Sequence, residues 1–187
     1  MAVQVGLRDL YYAVLTKDDS TGVTYQTPKK IAAAINAKIS PKTNSETLYA
    51  DDGPVETASS LGEIEVELEV SDLPLDVQAE LLGHTVSQGV IIKKSTDIAP
   101  YVAIGFKSVK SNGKFRYVWL LKGKFEVPES EYKTMEDKPE FQTATIKGTF
   151  IRRDWDNAWQ KIADEDHPDY VPNIGQNWFS AVEPPTA

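Results

Sequence analysis

The stretch Glu63-Ile-Glu-Val-Glu-Leu-Glu-Val70 decides the fold class, because acidic and aliphatic residues alternate in it without interruption. In a β-strand, successive side chains point to opposite faces of the sheet. One face of this strand is therefore aliphatic (Ile64, Val66, Leu68, Val70) and the other is acidic (Glu63, Glu65, Glu67, Glu69). A slip of one residue would bury four carboxylates, so the orientation of the strand is strongly specified.

The same period of two recurs along most of the chain. It predicts strands over residues 33–40, ending at Pro41, over 101–109 with 114–122, and over 141–151, with weaker strands near 10–15 and 89–93. One short helix is predicted from Pro74 to Leu82, closed by Gly83, and a second around residues 156–163. The fold class is therefore mainly β, with one short flanking α-helix.

A β-hairpin is predicted around Asn112-Gly113, because Asn-Gly is the favoured pair for a two-residue type I′ turn. Counting back from this turn gives three facing pairs: Ser108 with Tyr117, Phe106 with Trp119, and Ile104 with Leu121. This register predicts one buried aromatic face and one more polar face.

The composition indicates a single domain that folds without crosslinks. The chain has 187 residues and no cysteine, which excludes disulfides, thiolate metal sites and thiol nucleophiles. The first ten residues lack the pattern of a signal peptide, and no apolar run approaches the ~20 residues that span a bilayer. We therefore expect folding in a cytoplasm and no membrane partner.

The net charge of −8 is unevenly distributed. Residues 154–187 hold seven acids against one base, residues 46–72 hold nine acids and no base, and residues 93–124 hold eight bases and one acid. An acidic chain is poorly suited to sequence-independent binding of nucleic acid. The segregated signs predict complementary patches, either across strands within one subunit or between copies.

Two polar connections, residues 42–61 and 128–139, are longer than a hairpin requires, and long loops of this kind are usually functional or ordered by a partner. We divide the chain into a β domain over residues 1–153 and an acidic extension over 154–187. The extension, rich in Pro and Trp, is predicted to be an irregular arm.

The sequence offers little that indicates catalysis. His84 and His167 are far apart, and no nucleophile elbow or phosphate-binding loop is present. The acidic stretches 51–53 and 164–167 lack the spacing of a calcium loop, so we expect neither a metal nor a cofactor. Alternate glutamates of the acidic strand are ~7 Å apart, as in some glycosidases. Four equivalent acids, however, lack the distinct environments that separate an acid from a base. We predict no enzyme.

Several segments resemble, in order, the major tail proteins of siphophages that infect Gram-positive bacteria. The segments are Val5-Gly-Leu-Arg-Asp-Leu-Tyr-Tyr-Ala13, Tyr49-Ala-Asp-Asp-Gly-Pro54, the glutamate strand with the helix after it, and Glu140-Phe-Gln-Thr-Ala-Thr-Ile-Lys-Gly148. The likeness covers most of residues 1–153. It implies a β-sandwich or half-barrel whose copies form hexameric rings, which stack into the tail tube of the virion after assembly in the host cytoplasm.

The resemblance also implies partners and surfaces. Rings would contact a tape-measure protein and terminator or distal tail proteins, and DNA would pass without specific binding. The long loop would reach a neighbouring ring, with Tyr49, Asp51, Asp52 and Glu56 as candidate contacts. We expect the face of Glu63, Glu65, Glu67 and Glu69 either to be simply solvated or to line a channel that repels phosphates.

The acidic segment 46–72 and a basic patch of Lys107, Lys110, Lys114 and Arg116 suggest an electrostatic register between copies, for example between Glu56 and Lys110. Two other classes of protein stay open. A monomeric carbohydrate-binding β-sandwich would expose aromatic residues of the extension (Trp155, Trp159, Tyr170, Trp178), which otherwise anchor the arm to the core. A single-strand nucleic-acid binder would use the stretch Lys114–Tyr117.

Overall fold

The computed structural model describes residues 2–50, 53–130, 132, 134 and 143–183. Its strands are β1 (Gln4–Asp19), β2 (Gly22–Tyr25), β3 (Lys29–Lys30), β4 (Ala34–Ala50), β5 (Gly53–Val70), β6 (Thr85–Ser87), β7 (Val90–Ile92), β8 (Val102–Lys110), β9 (Phe115–Phe125), β10 (Ala144–Phe150) and β11 (Gln160–Asp164). Its helices are α1 (Leu75–Leu82) and α2 (Pro172–Asn177). The predicted class, mainly β with few and short helices, is confirmed.

Within the described part of the chain, nine strands form one antiparallel sheet in the order β2-β1-β8-β9-β10-β5-β4, with β3 beside β1 and β11 beside β9. Residues 29–30 pair with β1, and the chain then runs directly into β4, which pairs with β5 at the other end of the sheet. One continuous segment therefore joins the two ends. The sheet curls around its core, consistent with the β-sandwich or half-barrel that the resemblance implies.

The concave face of the sheet encloses the larger hydrophobic core. It is built from β1, β5, β8, β9, β10 and α1, and includes Leu10, Ile64, Leu81, Ile104 and Phe150. The aliphatic residues of the alternating stretch are at most 2% exposed, whereas Glu63, Glu65 and Glu67 are exposed. The predicted orientation of this strand is confirmed.

The first helix begins one residue after the predicted start and ends at the predicted Leu82. Gly83 ends it in the left-handed region, with φ of +74°, and a Cβ at this position would lie 2.2 Å from the carbonyl oxygen of Ile98. Leu81 and Leu82 are buried in the core, so packing holds a helix too short to be stable by itself.

The predicted hairpin exists, but its predicted register is wrong by one residue. The amide of Gly113 donates to the carbonyl of Lys110 at 2.9 Å, and only Gly113, with φ of +83°, enters the left-handed region within this turn. This is a three-residue turn with a bulge rather than a two-residue type I′ turn. Phe106 consequently faces Val118, and Trp119 faces Gly105.

The shift places Trp119 and Tyr117 on the face opposite to Phe106. Val118 and Leu120 take the inward positions, and all four of these β9 residues are buried. The β8–β9 hairpin therefore has two buried faces, where we predicted one buried and one more polar face. The second face requires a cover, which the C-terminal residues supply.

The segment predicted as a long loop over residues 42–61 forms a hairpin arm instead. Strand β4 continues through Pro41 to Ala50 and pairs with β5 as far out as the backbone of Ala50 and Gly53. Thr, Ser and Asn lie opposite one another along this arm, as in the pair Thr47–Thr57. Thr favours strands, and continuous backbone pairing holds the other polar residues extended, so a search for apolar alternation does not detect this structure.

The C-terminal extension is packed onto the domain, not an irregular arm. The helix predicted around residues 156–163 is wrong, because residues 160–164 form β11 along the first half of β9. Val182 and the half-buried Trp178 and Phe179 pack on Trp119 and Leu121. The structure thus joins the extension to the body through both a strand and a second hydrophobic cluster.

Candidate assembly surfaces

The glutamate face of β5 carries bases from the neighbouring strands. Lys42 of β4 lies 2.8 Å from Glu63 and 2.6 Å from Glu65. Lys38 of β4 and Lys147 of β10 both stand opposite Glu67 in register. The expected wall of carboxylates is therefore a face of interleaved charges around a shallow polar groove.

These contacts set the ionisation of the face. The hydrogen bond from Lys42 holds the pKa of Glu65 below its ordinary value, and the two glutamates raise the pKa of Lys42. The groups are exposed, so each pair contributes little to stability. The arrangement instead interleaves acids and bases, so neither sign of charge forms an uninterrupted run on this face.

The predicted basic patch is neutralised mainly by the chain's own C-terminal extension. Lys110 has a side chain only 4% exposed and bonds both Asp164 and Asp166, the latter at 2.8 Å. Arg116 bonds Asp164 at 2.6 Å, and Lys114 lies 3.1 Å from Asp166. The remaining base, Lys107, lies 2.6 Å from Asp9 of β1.

This cluster argues against the electrostatic pairing proposed from sequence between Glu56 and Lys110, which stays a prediction for assembled copies. Lys110 is buried and already holds two carboxylates, so it does not offer a free charge to a neighbour. Burial raises the pKa of Asp164, but hydrogen bonds from Lys110 and Arg116 outweigh it and keep that pKa well below its ordinary value. The bond from Lys110 is also the main cause that lowers the pKa of Asp166 to about 2.

Two further buried cations attach the extension to the body. Lys122 bonds Asp18 at 2.7 Å and Asp154 at 2.8 Å. Neither this cluster nor the next was predicted from the sequence. The signal was nevertheless present, because the acidic extension and the basic segment 93–124 are opposite in charge and nearly equal in number.

Arg153 is fully buried, and its guanidinium bonds Asp156 at 2.6–2.7 Å and also bonds Glu183. Burial disfavours its charged form, but these partners outweigh that effect and raise its pKa above the ordinary value. The hydrogen bond from Arg153 is the main cause that lowers the pKa of Asp156 to about 2.

The aromatic residues of the extension mostly serve packing. Trp159 packs against the main core, and Trp178 accepts a hydrogen bond from Trp119 Nε1 on its carbonyl oxygen at 3.0 Å. Phe179, which the sequence analysis did not consider, stacks on Tyr11 with ring centroids 4.6 Å apart. Trp155 is 44% exposed. These contacts favour the anchoring role over an aromatic platform for sugar.

The stretch Lys114–Tyr117 is likewise occupied by the extension. Tyr117 is only 7% exposed, and its hydroxyl donates to Glu165 at 3.0 Å. Because the bases of this stretch bond acids of the same chain, it lacks the open basic and aromatic groove of a single-strand nucleic-acid binder.

The arm places its candidate contact residues far from the core. Glu56 is exposed and stands opposite Leu48, which is 61% exposed. Asp51, Asp52 and the side chain of Tyr49 lie outside the described residues. Their role as contacts stays a prediction.

Each of the two histidines lies beside one aspartate. His84 Nδ1 is 2.7 Å from Asp97, and the exposed His167 lies 3.8 Å from Asp169. Among the residues that the structure describes, no group of three His, Asp or Glu side chains is arranged to hold a metal ion. In the same part of the chain, no helix is long and apolar enough to cross a membrane.

The curled sheet, the projecting arm and the charged faces define a structural protein that offers surfaces for assembly. The chain matches the family model of the phage tail tube protein over residues 5–177, and it belongs to that family. This is a structural family rather than an enzyme family; its members build a tube with other tail proteins, which places the chain in the virion tail. A search of curated proteins found no match.

Proposed function

We propose that this chain forms hexameric rings that stack into the tail tube, the conduit through which the phage genome leaves the virion. The family match over residues 5–177 is the observation that carries the proposal. The motifs quoted above favour a siphophage of a Gram-positive host. Tape-measure, terminator and distal tail proteins would be the partners in the virion.

The open edges of the sheet support ring formation. Within the described ranges, β4 pairs only with β5, and the first residues of β1 pair only with β8. Unpaired strand edges favour association with another strand, and a closed ring of sheets removes them. Rings that then meet head to tail form an open-ended stack, because such a contact does not close on itself.

The face of Glu63, Glu65, Glu67 and Glu69 is the surface that we assign to the lumen. It lies on the side of the sheet opposite to α1, and its lysines are each close to a glutamate. Phosphates sliding over such a face would meet balanced charges, so DNA could pass without being held.

Negative-stain electron microscopy of the purified chain over a concentration series tests the assembly. We expect rings or tubes with a central hole that become more abundant with concentration. A chain that stays monomeric at every concentration, and also when sheared phage tails are added as initiators, would contradict the proposal.

Reversing charge on the glutamate face tests the lumenal assignment. We expect phage that carry Glu65→Lys with Glu67→Lys to build intact tubes but to lose about tenfold in infectivity, because the two new lysines, together with Lys38, Lys42 and Lys147, would then retain the DNA backbone. The measurement is plaque formation together with DNA release from purified virions. Asp76→Lys, on the exposed surface of α1, is the control and should infect normally. Unchanged infectivity of the double variant would show that this face does not line the lumen.

A further inference from the structure

A small exposed platform of aliphatic and hydroxyl side chains follows the first helix. Strands β6 and β7 form a separate two-stranded sheet, in which Thr85 faces Ile92 and Ser87 faces Val90. These four residues share one face, and all are exposed, with Val90 at 60% and Ile92 at 51%. Nearby in sequence, Ile98 is 77% exposed. Large aliphatic side chains grouped in this way commonly mark an interaction site.

The platform is held in place before any partner binds. His84, with a side chain 4% exposed, bonds Asp97 at 2.7 Å, and Asp97 also accepts the amide of Lys94 at 2.8 Å. Gly83 lies against the backbone of Ile98, so the segment is clamped at both ends. A preformed surface loses less entropy on binding than a flexible one.

Two bases border the platform. Lys93 and Lys94 follow Ile92 directly and are exposed. Among the described residues, no carboxylate lies within ion-pair distance of either side chain. They differ in this respect from Lys107, Lys110, Lys114 and Arg116, which the chain's own acids neutralise. The platform thus combines two exposed aliphatic side chains with a basic margin.

The hairpin arm carries the complementary pattern near its tip. Leu48 and Glu56 stand opposite each other, and Glu46 lies two residues before Leu48 on the same strand, so the three side chains share one face. All three are exposed. The arm extends about eight residues beyond Lys42, or roughly 25 Å.

We propose that the platform of Thr85, Ser87, Val90 and Ile92 receives the arm tip of a second copy of this chain. Leu48 would contact Val90 and Ile92, while Glu46 and Glu56 would pair with Lys93 and Lys94. The inference rests on the proposed function, since a tube supplies second copies in a fixed orientation. Arm and platform are different surfaces, so the contact repeats from subunit to subunit without closing.

Engineered disulfides test the contact directly, because the chain has no cysteine of its own. We would mix the Leu48→Cys chain with the Ile92→Cys chain, oxidise the mixture and separate it on a non-reducing gel. We expect a disulfide heterodimer at least about tenfold more abundant than either homodimer, since only the mixed pair brings the two sulfurs within bonding distance. Thr47→Cys, which points to the opposite face of the arm, is the matched control and should crosslink poorly with Ile92→Cys.

Charge exchange provides the second test. Glu56→Lys and Lys93→Glu should each lower the yield of assembled protein by about tenfold, because each places like charges opposite one another. The double variant should recover most of that yield. A double variant that assembles no better than the single ones would overturn the pairing.

The outcomes separate the two proposals. Tubes of the unmodified chain without the mixed disulfide would overturn the docking and leave the tube function standing. A mixed disulfide without any tube would support the docking and contradict the tube function. Equal crosslinking of Thr47→Cys and Leu48→Cys would also overturn the docking, because it would show no preference for one face of the arm.

Discussion

Replacing Arg153 with methionine is expected to lower the free energy of unfolding by about 3 kcal/mol, because Asp156 and Glu183 lose their buried guanidinium partner and keep only the amide of Ala158 and the ammonium of Lys161. Arg153 is fully buried, and its guanidinium holds Asp156 and Glu183 together. Methionine fills much of the volume but supplies no donor. We place the loss at the lower end of the known range because both carboxylates retain some contact with solvent.

The adjacent Arg152 is a matched control for this variant. Its side chain is exposed and bonds Asn157, so Arg152→Met should change the free energy of unfolding by no more than about 0.5 kcal/mol. Urea unfolding followed by tryptophan fluorescence measures both values, and an unchanged slope would show that the denatured states are comparable. Equal losses for the two variants would show that the buried ion cluster is not what holds this segment.

The orientation of β5 could be predicted because the physical signal is local and redundant. Four aliphatic and four acidic residues alternate, and any other orientation would bury the acids. The register of the β8–β9 hairpin could not be predicted, because Asn112-Gly113 is compatible with both a two-residue and a three-residue turn. Packing decides between them: Gly105 leaves room for Trp119, whose ring atoms would lie 2.7 Å from a Cβ at that position.

The arm and the extension were missed for a different reason. Strand β11 has five residues and the outer part of the arm is polar, so neither shows the apolar period on which strand prediction depends. Strand β11 is held by pairing with β9, which is distant in sequence. The arm is held by the pairing of β4 with β5 across a turn. The segregated charges did predict complementary patches. For Lys110 and Lys122 the structure shows that these patches pair within one subunit.

A chain that ends at Arg153 is expected not to fold, which is the largest effect that the structure predicts. Without residues 154–187, β9 loses β11, and Trp119 and Leu121, now at most 1% exposed, become open to solvent. Lys110 would also lose both of its carboxylate partners. Together these losses are comparable to the whole stability of a domain, which is about 5–15 kcal/mol.

Removal of the arm is the control for this truncation, because it should impair assembly and not folding. Replacing residues 45–59 by Asn-Gly joins Asn44 to Ser60, which already face each other, and removes residues that pack on no part of the core. We expect this chain to keep the near-ultraviolet circular dichroism and elution volume of a folded subunit but to form no tubes, whereas the chain without the extension should lose its near-ultraviolet signal and aggregate. A folded chain ending at Arg153 would show that residues 1–153 are an autonomous domain. The extension would then be an appendage, and the buried ion clusters would have to be dispensable for folding.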